Sequence, residues 1–171
     1  EQFARAVGVP LATVTLDPRG RVLQQKLCDV KAAASTNSGF TLPLPEDPVA
    51  VGQQWSIPSL IDLPLPNGGV RRIKSIQNFT LESVKTGVAT IRVKTEILTP
   101  IHDPALESQL LQFESSGTVR LDIEAGRILG QQIDVDKGVV GFCGAASSIH
   151  YVSRWTEDLL PDQTSVASHD R

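Results

Sequence analysis

The sequence predicts a mainly β (α+β) fold. It is a curved antiparallel β-meander that stays open or rolls into a half-barrel, with a proline-rich strap and about one short helix. Apolar and polar residues alternate in several segments, which is the period of a strand facing a core on one side and water on the other. Six of the eleven prolines fall within residues 40–66, where they exclude a helix or a central strand over most of the segment. Only the segment after Asp103 carries clear signals for the start of a helix.

Length, charge and hydropathy limit the classes of protein to which the chain can belong. Its 171 residues, 40% of them hydrophobic, suit one ordinary globular domain. The net charge of −3 provides no basic surface for phosphates, so nucleic acid is not an expected partner. No apolar run reaches the roughly 18 residues of a membrane-spanning helix, and we expect no transmembrane segment. Because the sequence contains no Met, we expect a piece of a longer chain or a mature exported protein.

The first elements are two strands whose pattern occurs again later. Residues 13–25 contain T-V-T-L-D and then G-R-V-L-Q-Q, and residues 118–131 repeat this pattern with one residue inserted before the Gly. Any hairpin favours alternating apolar residues around Asp and Gly, but no turn requires the Arg after the Gly or the later Gln. We therefore expect residues 1–36 to be the closing hairpin of a preceding repeat, packed on a main sheet domain at residues 37–160.

Residues 40–66 form the predicted strap. They contain too many apolar side chains for a solvated linker or a polyproline ligand, so we expect the strap to pack against the sheet. Trp55 should then be largely buried between the strap and the meander. The residues that we expect to contact the strap or an apolar ligand are Trp55, Leu60 and Trp155.

Four segments after the strap predict the strands of the meander. Residues 70–83 favour a strand with a bulge over a helix, because Ser, Asn and Thr lie between the apolar residues. Residues 88–98 and 118–124 alternate cleanly. Gly126 can adopt the positive φ of a short turn, so residues 118–124 and 128–135 are expected to form a hairpin.

The helix is predicted between these strands. Asp103 can cap it, Pro104 suits its first position, and its apolar face consists of Leu106, Leu110 and Phe113. A helix of about ten residues is marginal alone, so it must rest on the sheet.

The last strand is expected to have two faces that differ less in polarity than those of the other strands. One face carries Ile149, Tyr151 and Trp155, and the other carries His150, Val152 and Arg154. Residues 161–171 are mostly polar and are expected to form a flexible tail.

Candidate catalytic residues are few. The spacings of a nucleophile elbow, a phosphate-binding loop, a zinc-protease helix and a dinucleotide-binding turn do not occur. Cys143 lies on a glycine-rich turn and could act as a nucleophile with His150 as its base, but nothing obvious in the sequence orients that His. The loops around residues 99–104 and 136–147 would also have to meet. We expect no catalytic, cofactor-binding or metal-binding residues.

The two cysteines leave two interpretations open. Cys28 and Cys143 lie too far apart in sequence for a metal knuckle or a C-x-x-C redox pair. In an oxidising compartment they would close a long loop as a disulfide. Otherwise both are buried free thiols that pack as small hydrophobic residues.

The segment from Leu44 to Trp55 resembles an uncharacterised family of bacterial proteins. It reads L-P-E-D-P-V-A-V-G-Q-Q-W and is similar to the P-x-x-P-V-x-V-G-x-x-W opening of extracytoplasmic proteins in which a strand meander follows. The likeness covers about residues 40–136. It implies export to the periplasm or cell envelope and often repeated copies of the unit, and it brings no catalytic residues. More loosely, the expected architecture is similar to the half-barrel of lipoprotein carriers.

Three functions compete on this basis. The first is a non-enzymatic structural or protein-interaction module of a larger bacterial cell-envelope or exported protein, whose partner is another protein or another domain of the same chain. The second is a carrier of a lipid or other apolar ligand in a cleft of the sheet. The third is a hydrolase that uses Cys143 and His150. The lack of a recognisable site favours the first, and we expect neither enzyme activity nor a cofactor.

Overall fold

A computed structural model describes residues 12–27, 41–65 and 68–160, and its fold is mainly β. The chain divides into two compact units, residues 1–48 and residues 49–171. Within the described residues, the second unit contains an open sheet of six antiparallel strands and one short α-helix. Each strand pairs with the next one along the chain. The predicted antiparallel meander is therefore confirmed, whereas the predicted tail lies outside the described residues.

The first unit contains a hairpin of β1 (Ala12–Leu16) and β2 (Val22–Leu27). Asp17 organises its turn, because one carboxylate oxygen accepts the backbone N–H groups of Arg19 and Arg21 at 2.8 and 2.9 Å. This is the local hydrogen bonding for which Asp is favoured in turns.

Glu46 lies on the segment that follows the hairpin within the same unit. Its carboxylate forms ion pairs with the side chains of Arg19 and Arg21, at 3.1 and 3.0 Å. The backbone N–H of Leu44 also donates to the carbonyl of Arg19 at 2.7 Å. The start of the proline-rich segment thus contacts the hairpin turn.

The second unit contains β3 to β8 in chain order. Their bounds are β3 Gln54–Pro64, β4 Val70–Lys85, β5 Val88–Ile97, β6 Ser116–Asp122, β7 Arg127–Val140 and β8 Ser148–Asp158. The four strands predicted between residues 70 and 135 correspond to β4, β5, β6 and β7. The bulge expected in β4 is present, because its register with β5 shifts between Leu81 and Ser83.

The predicted strap is wrong over residues 54–64, because these residues form β3, the first strand of the sheet. The prolines correctly exclude a central position, since β3 is an edge strand. Pro58 and Pro64 are tolerated there because an edge strand can leave one side of its backbone without hydrogen bonds. Residues 41–53 contain no regular strand or helix.

The loop predicted at residues 136–147 is too long. β7 continues to Val140, so Asp136 and Lys137 lie on a strand and the turn is reduced to residues 141–147. Asp136 and Lys137 each pair with a residue of β8. Pairing with the following strand extends the ladder beyond the segment that alternates clearly in the sequence.

One face of the sheet is apolar and supplies the core. Partners in register lie on the same face of a sheet, and here Phe79 pairs with Val93 while Ile91 pairs with Val119. The buried apolar side chains of the strands are Leu63, Ile73, Phe79, Leu81, Ala89, Ile91, Val93, Val119, Val135 and Val139. The opposite face is polar.

The helix α1 (Pro104–Leu110) continues into a 3₁₀ turn (Leu111–Phe113) and covers part of the apolar face. Asp103 is its N-cap, and the carboxylate accepts the backbone N–H of Ala105 at 3.0 Å. The predicted cap, length and apolar face are confirmed. The buried cluster that joins helix to sheet consists of Leu63, Ile73, Leu106 and Leu110.

The hairpins β1–β2 and β6–β7 share one irregularity. The register shifts between Thr15 and Leu16 in the first and between Arg120 and Leu121 in the second. These positions are equivalent in the repeated sequence pattern. In both hairpins the Asp that follows accepts two turn N–H groups through one carboxylate oxygen, and these residues are Asp17 and Asp122. The likeness therefore extends from the sequence to the backbone.

Candidate interaction edge

The described sheet ends at two edge strands, β3 and β8. An edge strand presents unpaired N–H and C=O groups, and most proteins block such an edge with prolines, outward charges or a covering segment. β8 pairs with β7 over its whole length, from Ser148 to Asp158. Its eleven residues include neither Pro nor Gly. The β8 edge, residues 148–158, is thus a long strand that its own sequence does not interrupt.

Large apolar side chains are exposed on both faces of β8. Tyr151 and Trp155, on the face that carries the core, are 38% and 45% exposed, and Val152 on the polar face is 65% exposed. Leu159 and Leu160 follow directly and are exposed as well. An apolar group of this kind beside an open edge marks a contact surface more often than scattered single residues do.

The charged side chains on the polar face of β8 bind to residues on β7. Arg154 donates two hydrogen bonds to the carboxylate of Asp134, with N–O distances of 2.6 and 3.3 Å. His150 Nε2 lies 2.6 Å from Asp136 Oδ1. Both side chains therefore lie over the sheet, not beyond its edge.

The two acidic side chains near the end of β8 also bind inward. Gln131 Nε2 donates to Glu157 Oε2 at 2.7 Å, and Arg120 on β6 donates to Asp158 Oδ1 at 2.9 Å. The Arg120 side chain crosses β7 above Gly130, where a Cβ atom would lie only 2.7 Å from Arg120 Nη2. Glycine at this position is what allows the ion pair to span three strands.

The Asp134–Arg154 pair changes the acidity of both groups. The hydrogen bond from Arg154 lowers the pKa of Asp134 below its ordinary value, and a second hydrogen bond from Gln132 lowers it further. The hydrogen bond to Asp134 raises the pKa of Arg154 in turn. Because both groups are solvent-accessible, this pair contributes little net stability, but it sets the direction of the Arg154 side chain.

These contacts leave β8 without the charged barrier typical of edge strands. The four side chains on this strand that can carry charge at neutral pH are His150, Arg154, Glu157 and Asp158. Each of them is hydrogen bonded to a residue of β6 or β7. None of the four therefore extends past the edge, as the lysines of many protected edge strands do, and within the described residues no strand pairs with the outer side of β8.

The sequence-predicted contact residues do not come together. Trp55 lies on β3, half-buried, and its ring stacks on Phe79 of β4 with the centroids 5.3 Å apart and the planes 12° from parallel. Leu60 is also on β3 but faces the other side of the sheet and is exposed. Trp155 lies on β8, at the opposite edge. Trp55 is therefore less buried than expected, and its ring packs on a neighbouring strand of the sheet.

The Cys143 turn differs from expectation in two ways. Cys143 is an exposed free thiol, so the prediction of a buried thiol is wrong for this residue, while Cys28 lies outside the described residues. The expectation that nothing orients His150 is also wrong, because β7 extends far enough to place Asp136 beside it. The loops around residues 99–104 and 141–147 approach each other, but the bond of His150 to Asp136 directs its Nε2 to that carboxylate.

A groove of about 450 Å³ lies between β5, β6 and β7 on the polar face. Its lining consists of Arg92, Val93, Lys94, Ser116, Gly117, Thr118, Gln132 and Asp134. Each charged group in this lining has an opposite charge within the protein, since Arg92 pairs with Glu82, Lys94 with Glu96, and Asp134 with Arg154. The groove therefore presents hydroxyl and amide groups with little net charge.

The β8 edge was not among the candidate sites predicted from the sequence. The available signal in the sequence was an eleven-residue segment that has no Pro or Gly and contains Tyr151 and Trp155. The inward direction of its charges could not be seen, because it depends on which residues of β6 and β7 lie opposite.

Within residues 12–27, 41–65 and 68–160, no three His, Cys, Asp or Glu side chains cluster as metal ligands would. In the same part of the chain no helix is long and apolar enough to cross a membrane. No family model, curated protein or solved structure matches this sequence.

Proposed function

We propose that this chain is a non-enzymatic protein-interaction module of a larger exported or cell-envelope protein, and that it binds its partner through the β8 edge. One observation carries the proposal. All four side chains of β8 that can be charged at neutral pH bind back to β6 and β7, and no described strand pairs with its outer side, whereas the other edge contains prolines. The export part of the proposal rests on the resemblance of the segment ending at Trp55.

The chemistry of binding would be addition of a strand. In an edge strand every second residue directs its N–H and C=O away from the sheet, so an extended segment of a partner can continue the ladder. Tyr151 and Trp155 on one face and Val152 on the other would then contact the alternate side chains of that segment. Backbone hydrogen bonds supply affinity in this mode, and the side chains beside them supply selectivity.

Interaction is better supported than transport of an apolar ligand. A carrier needs an open apolar cleft, whereas the side chains at the centre of the described apolar face, such as Phe79, Val93 and Val119, are buried. The exposed apolar area that the proposal uses is at the edge, beside unpaired backbone groups. A ligand that adds to an edge is most simply another polypeptide.

The shared bulge of the two hairpins supports a repeated unit. Sequence convergence on a hairpin would explain the alternation and the Asp–Gly turn, but it does not require a register shift at equivalent residues, as seen at Leu16 and Leu121. We therefore extend the proposal to a chain in which this unit occurs more than once, with the β1–β2 hairpin equivalent to the β6–β7 hairpin.

A site-specific photocrosslinker tests the proposed edge. Full-length protein carrying benzoylphenylalanine at Val152 is irradiated in its own cells, and the crosslinked peptides are identified by mass spectrometry. The matched control places the same group at Leu60 on the β3 edge, because the two side chains are 65% and 60% exposed and lie on the same face.

We expect discrete protein adducts from position 152, with the linked residue in an extended segment of the partner, and none above background from position 60. Equal adducts from both positions, or none from position 152, would contradict the proposal.

A further inference from the structure

We infer that the β8 edge pairs with the β8 edge of a second copy of this chain, antiparallel about a twofold axis at Ser153. This inference rests on the proposed function, because it names the partner of the same edge. Two copies of β8 can pair over their whole length in this register. The pairing places aromatic residues opposite each other and no like charges opposite each other.

The length of the strand favours this position of the axis. Ser153 is the midpoint of β8, which extends from Ser148 to Asp158, so a twofold axis at Ser153 pairs all eleven residues with the second copy. Any other axis leaves residues at one end of each strand unpaired. With the axis perpendicular to the sheet, the apolar faces of the two copies lie on the same side, as an isologous interface requires.

The aromatic residues become partners in this register. Tyr151 of each copy lies directly opposite Trp155 of the other, so two aromatic cross-strand pairs form, one on each side of Ser153. Both side chains are exposed in the single chain and lie on the face that carries the core. Cross-strand aromatic pairs are among the favourable contacts between neighbouring strands.

The charges are compatible with the same register. Arg154 lies opposite Val152 of the second copy, and His150 lies opposite Thr156, so no two like charges face each other. An axis at Arg154 would place this residue opposite itself. Like charges directly opposite each other destabilise a strand pair, so this alternative is less favourable than the axis at Ser153.

One strand pair is a small interface. Stable complexes bury at least about 1,200 Å² in total, and smaller interfaces belong to weak or transient association. We therefore expect a reversible dimer with a dissociation constant in the micromolar range or weaker.

Sedimentation of the purified chain from about 1 µM to about 1 mM measures this equilibrium. We expect the wild-type chain to form a dimer and Val152→Lys to raise the dissociation constant about tenfold, because the new charge lies opposite Arg154 of the second copy. Leu60→Lys is the matched control on the β3 edge and should leave dimerisation unchanged. A wild-type chain that is monomeric throughout, or a Leu60→Lys variant weakened as much as Val152→Lys, overturns the inference.

Cysteine crosslinking tests the register. In a Cys28→Ser, Cys143→Ser background that retains the wild-type melting temperature, Ser153→Cys should give a covalent dimer under mild oxidation, because the two copies of this position face each other across the axis. Thr156→Cys should not, since its partner in this register is His150. Equal crosslinking of the two variants rules out the axis at Ser153.

The two proposals can fail separately. If the photocrosslinker at Val152 captures a segment of another protein while the purified chain stays monomeric, the interaction edge is supported and self-pairing is rejected. If no adduct forms at Val152 and no dimer is seen, both are rejected.

Discussion

The two edges of the sheet are constructed differently although they have the same length. β3 contains Pro58 and Pro64, stacks Trp55 on Phe79, and places Leu63 in the buried cluster with the helix. β8 has no proline, and Tyr151, Val152 and Trp155 are exposed, the first and last on one face and Val152 on the other. The β3 edge is interrupted by its own prolines and packed against the helix on one face, whereas no described segment interrupts or pairs with the outer side of β8.

The charges of the two edges show why residue type alone does not identify an open edge. β8 contains more charged residues than β3, and such residues normally protect an edge from association. Here they are hydrogen bonded to Asp134, Asp136, Gln131 and Arg120 on the neighbouring strands. The number of charged residues on a strand therefore does not show whether any of them extends past the edge.

The largest expected effect that separates the edges is on stability. Leu63→Ala should lower the free energy of unfolding by about 2 to 5 kcal/mol, because it opens a cavity in a buried cluster. Val152→Ala, on the other edge, should change it by no more than about 0.5 kcal/mol. Chemical denaturation of both variants measures the difference. Similar losses would show that β8 is as well packed as β3.

The two tryptophans give a second, smaller contrast. Trp55→Ala should cost about 2 to 3 kcal/mol, below the range for a fully buried aromatic residue, because Trp55 is only half-buried against Phe79. Trp155→Ala should cost less than about 1 kcal/mol in the monomer.

The variants Trp55→Ala and Trp155→Ala also report the solvent exposure of the tryptophan that each retains. Since the chain has two tryptophans, each variant retains one fluorophore. We expect the emission of Trp55 to be blue-shifted relative to that of Trp155. The reverse order would contradict the difference between the edges.

The smallest expected effect concerns pH and the direction of Arg154. The hydrogen bond from Arg154 lowers the pKa of Asp134 in the folded state, so its stabilising contribution is present above the unfolded-state pKa of about 3.9 and is lost as pH falls through the lower folded-state pKa. Asp134→Asn should therefore be less stable than wild type at pH 7, and the difference should vanish in strong acid.

Urea denaturation at a series of pH values measures this dependence. Arg154→Gln should lose most of the same pH-dependent part, because it removes the ion pair and leaves only the hydrogen bond from Gln132 to Asp134. A difference between wild type and Asp134→Asn that stays constant across the acidic range would mean that the pair does not form in solution.

Much of the sheet could be predicted from the sequence because its signals are local. Alternation identified β5 to β7, and the Ser, Asn and Thr residues between the apolar ones identified β4. Gly126 with its φ of 63° marked the turn of the second hairpin, and Asp103 with Pro104 located the start of the helix. β3 was misassigned, because prolines that exclude a central strand do not exclude an edge strand. Its place at the edge depends on β4 as its partner.

The candidate site could be predicted only in part. Tyr151, Val152, Trp155 and Arg154 were assigned to the correct faces of the last strand, because that assignment needs only the period of two. The sequence did not indicate that this strand would be an edge, that its charges would bind inward, or that Trp55 and Trp155 would lie at opposite edges.

The sequence by itself determined the strand periods, the two hairpin turns and the capped helix, since each depends on residues within a few positions of one another. Only the tertiary structure decided the register of β7 and β8, and with it the contacts of His150 with Asp136 and of Arg154 with Asp134. These pairs are 14 and 20 residues apart. A shift of one residue in register would move each side chain to the other face, so the open edge is a property of the assembled sheet.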